Sequence, residues 1–221
     1  MSHVITSMLN VQVMEVRLNR PDQLNALSPD MLDGIIAALQ QGDHSRTVRA
    51  IVLTGEGRGF CAGADLTTQS GPGDIPGTEG MSDLGFTYKY QERIAQAALA
   101  IHECDKPVIA AINGAAVGGG LAFALACDLR IATRGAKLGS VFIQTGLSSC
   151  DIGVSYFLPR LIPPTMAMEL MVTGRIFLAQ EADELGLLNA LVEPEQLQQK
   201  ALELAGAIAA NSEYGVWMTK K

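Results

Sequence analysis

Apolar and polar positions alternate through the first half of VQVMEVRLN at 11–19, which predicts a strand. The turn-rich RPDQLNALSPD follows at 20–30. Ser28 then reads as an N-cap with Pro29 in the first helical position, opening a helix MLDGIIAALQQ over 31–41. Continuous β-branched runs, RAIVLTG at 49–55 and PVIAAI at 107–112, predict strands, and DLRIAT at 128–133 predicts another. Ile94, Ala97, Ala98 and Ile101 recur at helical spacing and predict a helix over 88–103. A short helix over 121–126 and further helices at 152–158, 164–172, 179–185 and 195–210 complete the pattern. NSEYGVWMTKK at 211–221 reads as a helix from Ser212 that stops after little more than two turns, as if a longer chain continued. Strands alternating with helices give an α/β fold. Residues 67–79, with Gly71-Pro72-Gly73 and Pro76-Gly77, carry no periodicity, and loops of that length are usually functional or disordered.

With 221 residues, 48% of them hydrophobic and 18% charged, the chain can bury a sizeable core. The net charge of −7, with no Lys/Arg run, argues against nucleic acid as a partner. Apolar runs are interrupted too early to span a membrane, and the N-terminus lacks the pattern of a secretory signal. Cys61, Cys104, Cys127 and Cys150 show no metal spacing and lie in apolar or glycine-rich context, so no metal and a reducing, cytoplasmic compartment are expected.

Two glycine-rich segments change the picture: FCAGADL at 60–66 and NGAAVGGGLA at 113–122, each just after a predicted strand. Neither fits a dinucleotide fingerprint or a phosphate loop, because the G-x-G-x-x-G spacing and the G-K-[ST] are missing. Gly118-Gly119-Gly120 permits close backbone approach, and the helix beginning near Gly119 aims unpaired N–H groups forward. The Ala64 N–H is the natural second donor. The turns serve either tight packing or an oxygen that acquires negative charge.

Together with NRPDQLNAL at 19–27, YFLPRLI at 156–162 and ELMVTGRIFLAQEADELGLLNALV at 169–192, these segments resemble the enoyl-CoA hydratase/isomerase (crotonase) superfamily from Val11 to Lys221. The resemblance implies a crotonase-like (ClpP/crotonase) spiral of ββα units over 1–192, and the start of a C-terminal helical region over 193–221. It implies an acyl-CoA substrate with coenzyme A as part of the thioester, no prosthetic group, and a homotrimer or dimer of trimers. It places the thioester oxygen between the N–H groups of Ala64 and Gly119. Pantetheine and adenine would follow Gln23, Leu24 and Ala26, then Ala62, Gly63, Ala64, Asp65 and Leu66. Gln23 stands where the family often has a basic residue, which leaves Arg20 and the C-terminal lysines as substitutes for phosphate contact.

The resemblance also locates the two glutamates of hydratases, and here those positions are Ala122 and Phe142. General acid–base groups contribute about 10²–10⁴-fold each, so hydration should be severely reduced. Asp151, in GLSSCDIGV at 146–154, resembles the aspartate of dienoyl-CoA isomerases, with one extra residue before it. It serves either as the single base a double-bond shift needs or as an N-cap for the helix that follows. Tyr88, Tyr90 and Glu92 are expected to pack rather than react, and Asp65 to fix its own loop. The expectation is an enolate-stabilising isomerase rather than a hydratase. The rival is a non-catalytic acyl-CoA-binding or assembly protein on the same scaffold.

Overall fold

A computed structural model describes residues 2–65, 71–73 and 75–221. The chain runs β1 (Val4–Met8), β2 (Val13–Leu18), α1 (Pro29–His44), β3 (Ala50–Gly55), β4 (Gly59–Cys61), α2 (Asp83–Glu103), β5 (Val108–Ile112), β6 (Ala115–Val117) and α3 (Gly119–Ala126). It continues through β7 (Leu129–Thr133), β8 (Lys137–Gly139), α4 (Val154–Leu161), α5 (Pro164–Thr173), β9 (Ile176–Leu178), α6 (Ala179–Glu184), β10 (Ala190–Val192), α7 (Leu197–Ala209) and α8 (Glu213–Lys220). One sheet has the order β1-β2-β3-β5-β7-β10 and the other β4-β6-β8-β9. The pairs from β2 through β10 are parallel, while β1 lies antiparallel to β2 and β9 antiparallel to β8. Three successive units, β3-β4-α2, β5-β6-α3 and β7-β8-α4, each place one strand in each sheet before a helix. That is the ββα spiral the resemblance implied.

The alternation along the strands sorts the core. Ala50 and Val52 in β3, with Ile109 and Ala111 in β5, face Leu197, Ala201 and Ala205 of α7. Their neighbours Ile51, Leu53, Val108, Ala110 and Ile112 face the main core with α1, α2 and α3. Both faces of these strands are therefore buried, as their unbroken apolar sequence requires. All eight residues of α3 are buried, because GGLAFALA is apolar all round and can only sit between other layers.

Ser28 caps α1 by accepting the Met31 N–H at 3.3 Å, with Pro29 leading the helix as the sequence predicts. α2 begins at Asp83, five residues before the predicted start, because Ser82 accepts the Gly85 N–H and sets the cap there. β1 has no counterpart in the sequence pattern; four of its five residues are exposed and show no apolar face. Part of the predicted structureless stretch is tied down: Thr78 donates to the Ile75 carbonyl at 2.6 Å, and both residues are buried. Leu66–Ser70 and Asp74 lie outside the described residues, and with them Leu66 of the predicted binding set. Cys61, Cys104 and Cys127 are buried as expected, and burial pushes the Cys61 and Cys104 thiols up to about 12. Cys150 departs from that expectation and is exposed. Among the described residues, no helix is long and apolar enough to cross a membrane.

Candidate active site

The two glycine segments meet. The Leu27 N–H donates to the Gly63 carbonyl at 2.7 Å and the Asp65 N–H to the Leu27 carbonyl at 3.2 Å, forming a parallel bridge between Leu27 and Ala64. In a bridge of this kind the flanking residues use the facing groups, so the Ala64 N–H points away from Leu27. Gly63 adopts φ +84°, and a Cβ there would lie 2.9 Å from the Val117 carbonyl oxygen and 3.2 Å from the Gly119 nitrogen. Backbone therefore touches backbone between the turns, with no room for a side chain.

The second turn is held from below. Gly118, at φ +53°, donates its N–H to the Gly139 carbonyl at 2.9 Å, which anchors the start of α3 on β8. A Cβ on Gly120 would sit 2.0 Å from the Cys61 carbonyl oxygen, so α3 lies directly on the first segment. Gly119 is the first residue of α3, where N–H groups lack an intrahelical acceptor and the helix dipole is positive. Among the described residues, neither the Gly119 nor the Ala64 N–H has a backbone acceptor. These are two adjacent donors suited to one oxygen.

The donors border a cleft of about 60 Å³ whose walls include Ala62, Gln91, Ile94, Val141, Phe142 and Ile152. Ala122 and Phe142, the residues expected from the resemblance to replace the hydratase glutamates, are 0% and 6% exposed. Among the described residues lining the cleft, none carries an ionisable side chain. Ile152 also lines a larger apolar cavity of about 370 Å³ between α2 and α4, with Leu99, His102, Tyr156 and Phe157. Asp151 borders this second cavity, not the cleft itself. Its carboxylate is exposed and accepts the Ser148 N–H at 3.2 Å. The N-cap of α4 is Gly153 at φ +95°, so the capping role weighed for Asp151 is not the one observed.

The predicted coenzyme A segments lie side by side. Residues 20–27 fold as a tight turn with Leu24 and Asn25 at positive φ, and the Ala62 N–H donates to the Leu24 carbonyl at 3.0 Å. Ala26, Gly63 and Asp65 are buried, whereas Gln23 is exposed. Asp65 does not merely fix its own loop. It accepts Arg20 at 2.8 Å, and Arg20 also donates to the Ala26 carbonyl at 2.6 Å. Arg20 is thus committed to joining the two segments and is not a free phosphate ligand. Lys220 pairs with Asp128 and Lys221 with Asp105, which commits the C-terminal lysines as well.

Tyr90, expected to pack, also donates its hydroxyl to the Leu27 carbonyl at 2.6 Å, and burial pushes its pKa up to about 12. A second contact had no signal in the sequence: Ser140 and Ser149, both buried, share a 2.7 Å hydrogen bond. Ser140 follows the β8 residue that anchors Gly118, and Ser149 lies two residues before Asp151. This bond ties the Asp151 loop to the base of the second glycine turn.

Residues 9–221 match the family model described as enoyl-CoA hydratase/isomerase. The chain belongs to that family. The Mycobacterium tuberculosis protein named "Probable enoyl-CoA hydratase EchA12" is 37% identical over 210 residues, covering 95% of this chain and 73% of that protein. The Escherichia coli 1,2-epoxyphenylacetyl-CoA isomerase is 35% identical, covering 100% of this chain and 82% of its own. The crystal structure of an enoyl-CoA hydratase from Bacillus anthracis superimposes with a TM-score of 0.90 at 36% identity, over 99% of this chain and 81% of that one. The family places the chain among acyl-CoA-processing enzymes, and its relatives carry both hydratase and isomerase names.

Proposed function

We propose that this family member stabilises a thioester enolate between the Ala64 and Gly119 N–H groups and moves a double bond along the acyl chain, with Asp151 as the base. The observation that carries the reading is the contact of the two glycine turns, which leaves two neighbouring N–H groups at one end of a narrow cleft. Each preorganised donor aimed at a developing oxyanion is worth about 3–4 kcal/mol of transition-state stabilisation. Pantetheine would enter along Gln23, Leu24 and Ala26 and along Ala62 to Asp65, leaving the acyl tail to the apolar cavity beyond Ile152.

Hydration needs one group to activate water and another to deliver a proton, and Ala122 and Phe142 do neither. An isomerisation needs one carboxylate that takes a proton from one carbon and returns it to another, with the electron pair held meanwhile on the thioester oxygen. Asp151 borders the cavity assigned to the acyl tail, and after turning from Ser148 it would take the α-proton of a 3-enoyl thioester and return it to the γ-carbon. The test is turnover of a 3-enoyl-CoA by wild type and Asp151→Ala. The variant should lose isomerisation by about 10²–10⁴-fold while retaining ligand binding. Equal turnover would remove Asp151 from the mechanism.

The exposed, Ser148-bonded state of Asp151 favours one rival, an acyl-CoA-binding or assembly protein. Absence of wild-type turnover across a broad thioester panel would support it. Self-association is part of the proposal too. Met168 and Val172, one turn apart on α5, and Ile176 and Leu178 on the edge strand β9 are all exposed. Such an apolar face fits an interface between copies, and light scattering should give a trimer or hexamer mass.

A further inference from the structure

Two peptide groups stand in series behind the Ala64 donor. The Ala26 carbonyl accepts Arg20 Nη1 at 2.6 Å, and the N–H of that same peptide, on Leu27, donates to the Gly63 carbonyl at 2.7 Å. The peptide that carries the Gly63 carbonyl ends in the Ala64 N–H. Both bonds are shorter than the usual ~2.9–3.0 Å. Among the described residues no peptide bond is cis, and in a planar trans peptide the C=O and N–H point in opposite directions. The line from the guanidinium therefore runs through both peptides and leaves along the Ala64 N–H. Arg20 is held in this direction. Its side chain is 12% exposed, Nη2 donates to Asp65 at 2.8 Å, and its backbone N–H donates to the buried Asn25 side chain at 2.8 Å.

We infer that Arg20 is a positioning residue for the Ala64 donor, aiming that N–H and strengthening it through the two intervening peptides. This rests on the Ala64 and Gly119 N–H groups being the thioester oxyanion site. The two donors differ in what lies behind them. Gly119 opens α3 and has the positive end of its dipole. Ala64 lies in no helix, and the Arg20 charge takes that place. Hydrogen bonds in series polarise one another by roughly 10–30% per bond, and a charged donor at the head of the series is the stronger kind. The bond to Asp65 ties two loops together; the bond to Ala26 is the one that reaches the oxygen.

An apolar replacement would strand the buried Asp65 carboxylate, so the test is Arg20→Lys. Lysine keeps a positive charge opposite Asp65 but exchanges a fork that serves two acceptors for a single ammonium. Two quantities are read at saturating butyryl-CoA: the infrared C=O stretch of the bound thioester, isotope-labelled at the carbonyl carbon, and α-proton exchange in deuterated water. Both report on folded, liganded protein, so lost stability alone does not move them. In wild type the stretch should lie below that of free butyryl-CoA. Arg20→Lys should move it back toward the free value with little change in the dissociation constant. Exchange should slow by about 3–30-fold, part of the roughly 10²–10³-fold that a whole donor supplies. A stretch and an exchange rate both equal to wild type would overturn the inference, leaving Arg20 as a tie between loops. So would weaker binding with both quantities intact at saturation, because Arg20 would then touch the ligand directly. A wild-type stretch no lower than that of free butyryl-CoA would refute the oxyanion reading itself, and this inference with it.

Discussion

Gly63→Ala is the sharpest perturbation of the contact between the two turns. The residue sits at φ +84°, where a Cβ costs about 1–2 kcal/mol. The added carbon would also meet the Val117 carbonyl oxygen at 2.9 Å and the Gly119 nitrogen at 3.2 Å, and overpacking of this sort costs roughly 1–3 kcal/mol. The obstructing atoms are backbone, so relief comes only by separating the turns. The sum is about 2–5 kcal/mol of lost stability, read from urea unfolding. Separation also misdirects one oxyanion donor, which should slow enolate-dependent turnover by about 10²–10³-fold even in the folded fraction. Gly206→Ala is the control: Gly206 lies exposed in α7 with no atom near its Cβ position, so the same change should stabilise by up to about 1 kcal/mol. A Gly63→Ala protein within about 0.5 kcal/mol of wild type and equally active would refute the reasoning, since that is the range of an indifferent surface change.

Two further outcomes are expected. Ser149→Ala should cost about 1–3 kcal/mol by leaving the buried Ser140 hydroxyl without its partner, and Ser140→Ala/Ser149→Ala should cost less than the sum of the single changes; urea unfolding of the set checks both. Tyr90 ionises near 10 when unfolded but only at about 12 in the fold. Its folded value is raised, so its contribution is complete below pH 10 and is lost as pH climbs towards 12. Unfolding measured across that range should show the advantage of wild type over Tyr90→Phe shrinking.

The sequence makes four strands of the main sheet plain, β2, β3, β5 and β7, because runs such as Ala50-Ile51-Val52-Leu53 and Val108 to Ile112 are long enough to read as strands, whereas β1 and β10 gave no such run. The second sheet is not readable that way. β4, β6, β8 and β9 have three residues each, too few for any periodicity, and only the family resemblance anticipated them. The glycine turns were legible as potential donors, and their contact depends on φ values that glycine alone adopts without cost. The contacts that lock them were not legible. Arg20 with Asp65, Tyr90 with the Leu27 carbonyl, and Ser140 with Ser149 join residues 45, 63 and 9 positions apart without a local signal. Asp151 was recognisable by its surrounding motif, yet its neighbours decide where it sits. The positive φ of Gly153 starts α4 later than the pattern indicates and leaves the carboxylate bonded within its own turn.

The central claim is that Ala64 and Gly119 together stabilise a thioester enolate. Exchange of the α-protons of a saturated acyl-CoA in deuterated water tests it most directly, because it presumes no particular product and needs only a base at the α-carbon, the role proposed for Asp151. The account predicts deuterium incorporation at the α-carbon well above the rate in buffer, falling by about 10²–10³-fold in Gly63→Ala. Incorporation no faster than in buffer, with the acyl-CoA demonstrably bound, would contradict it.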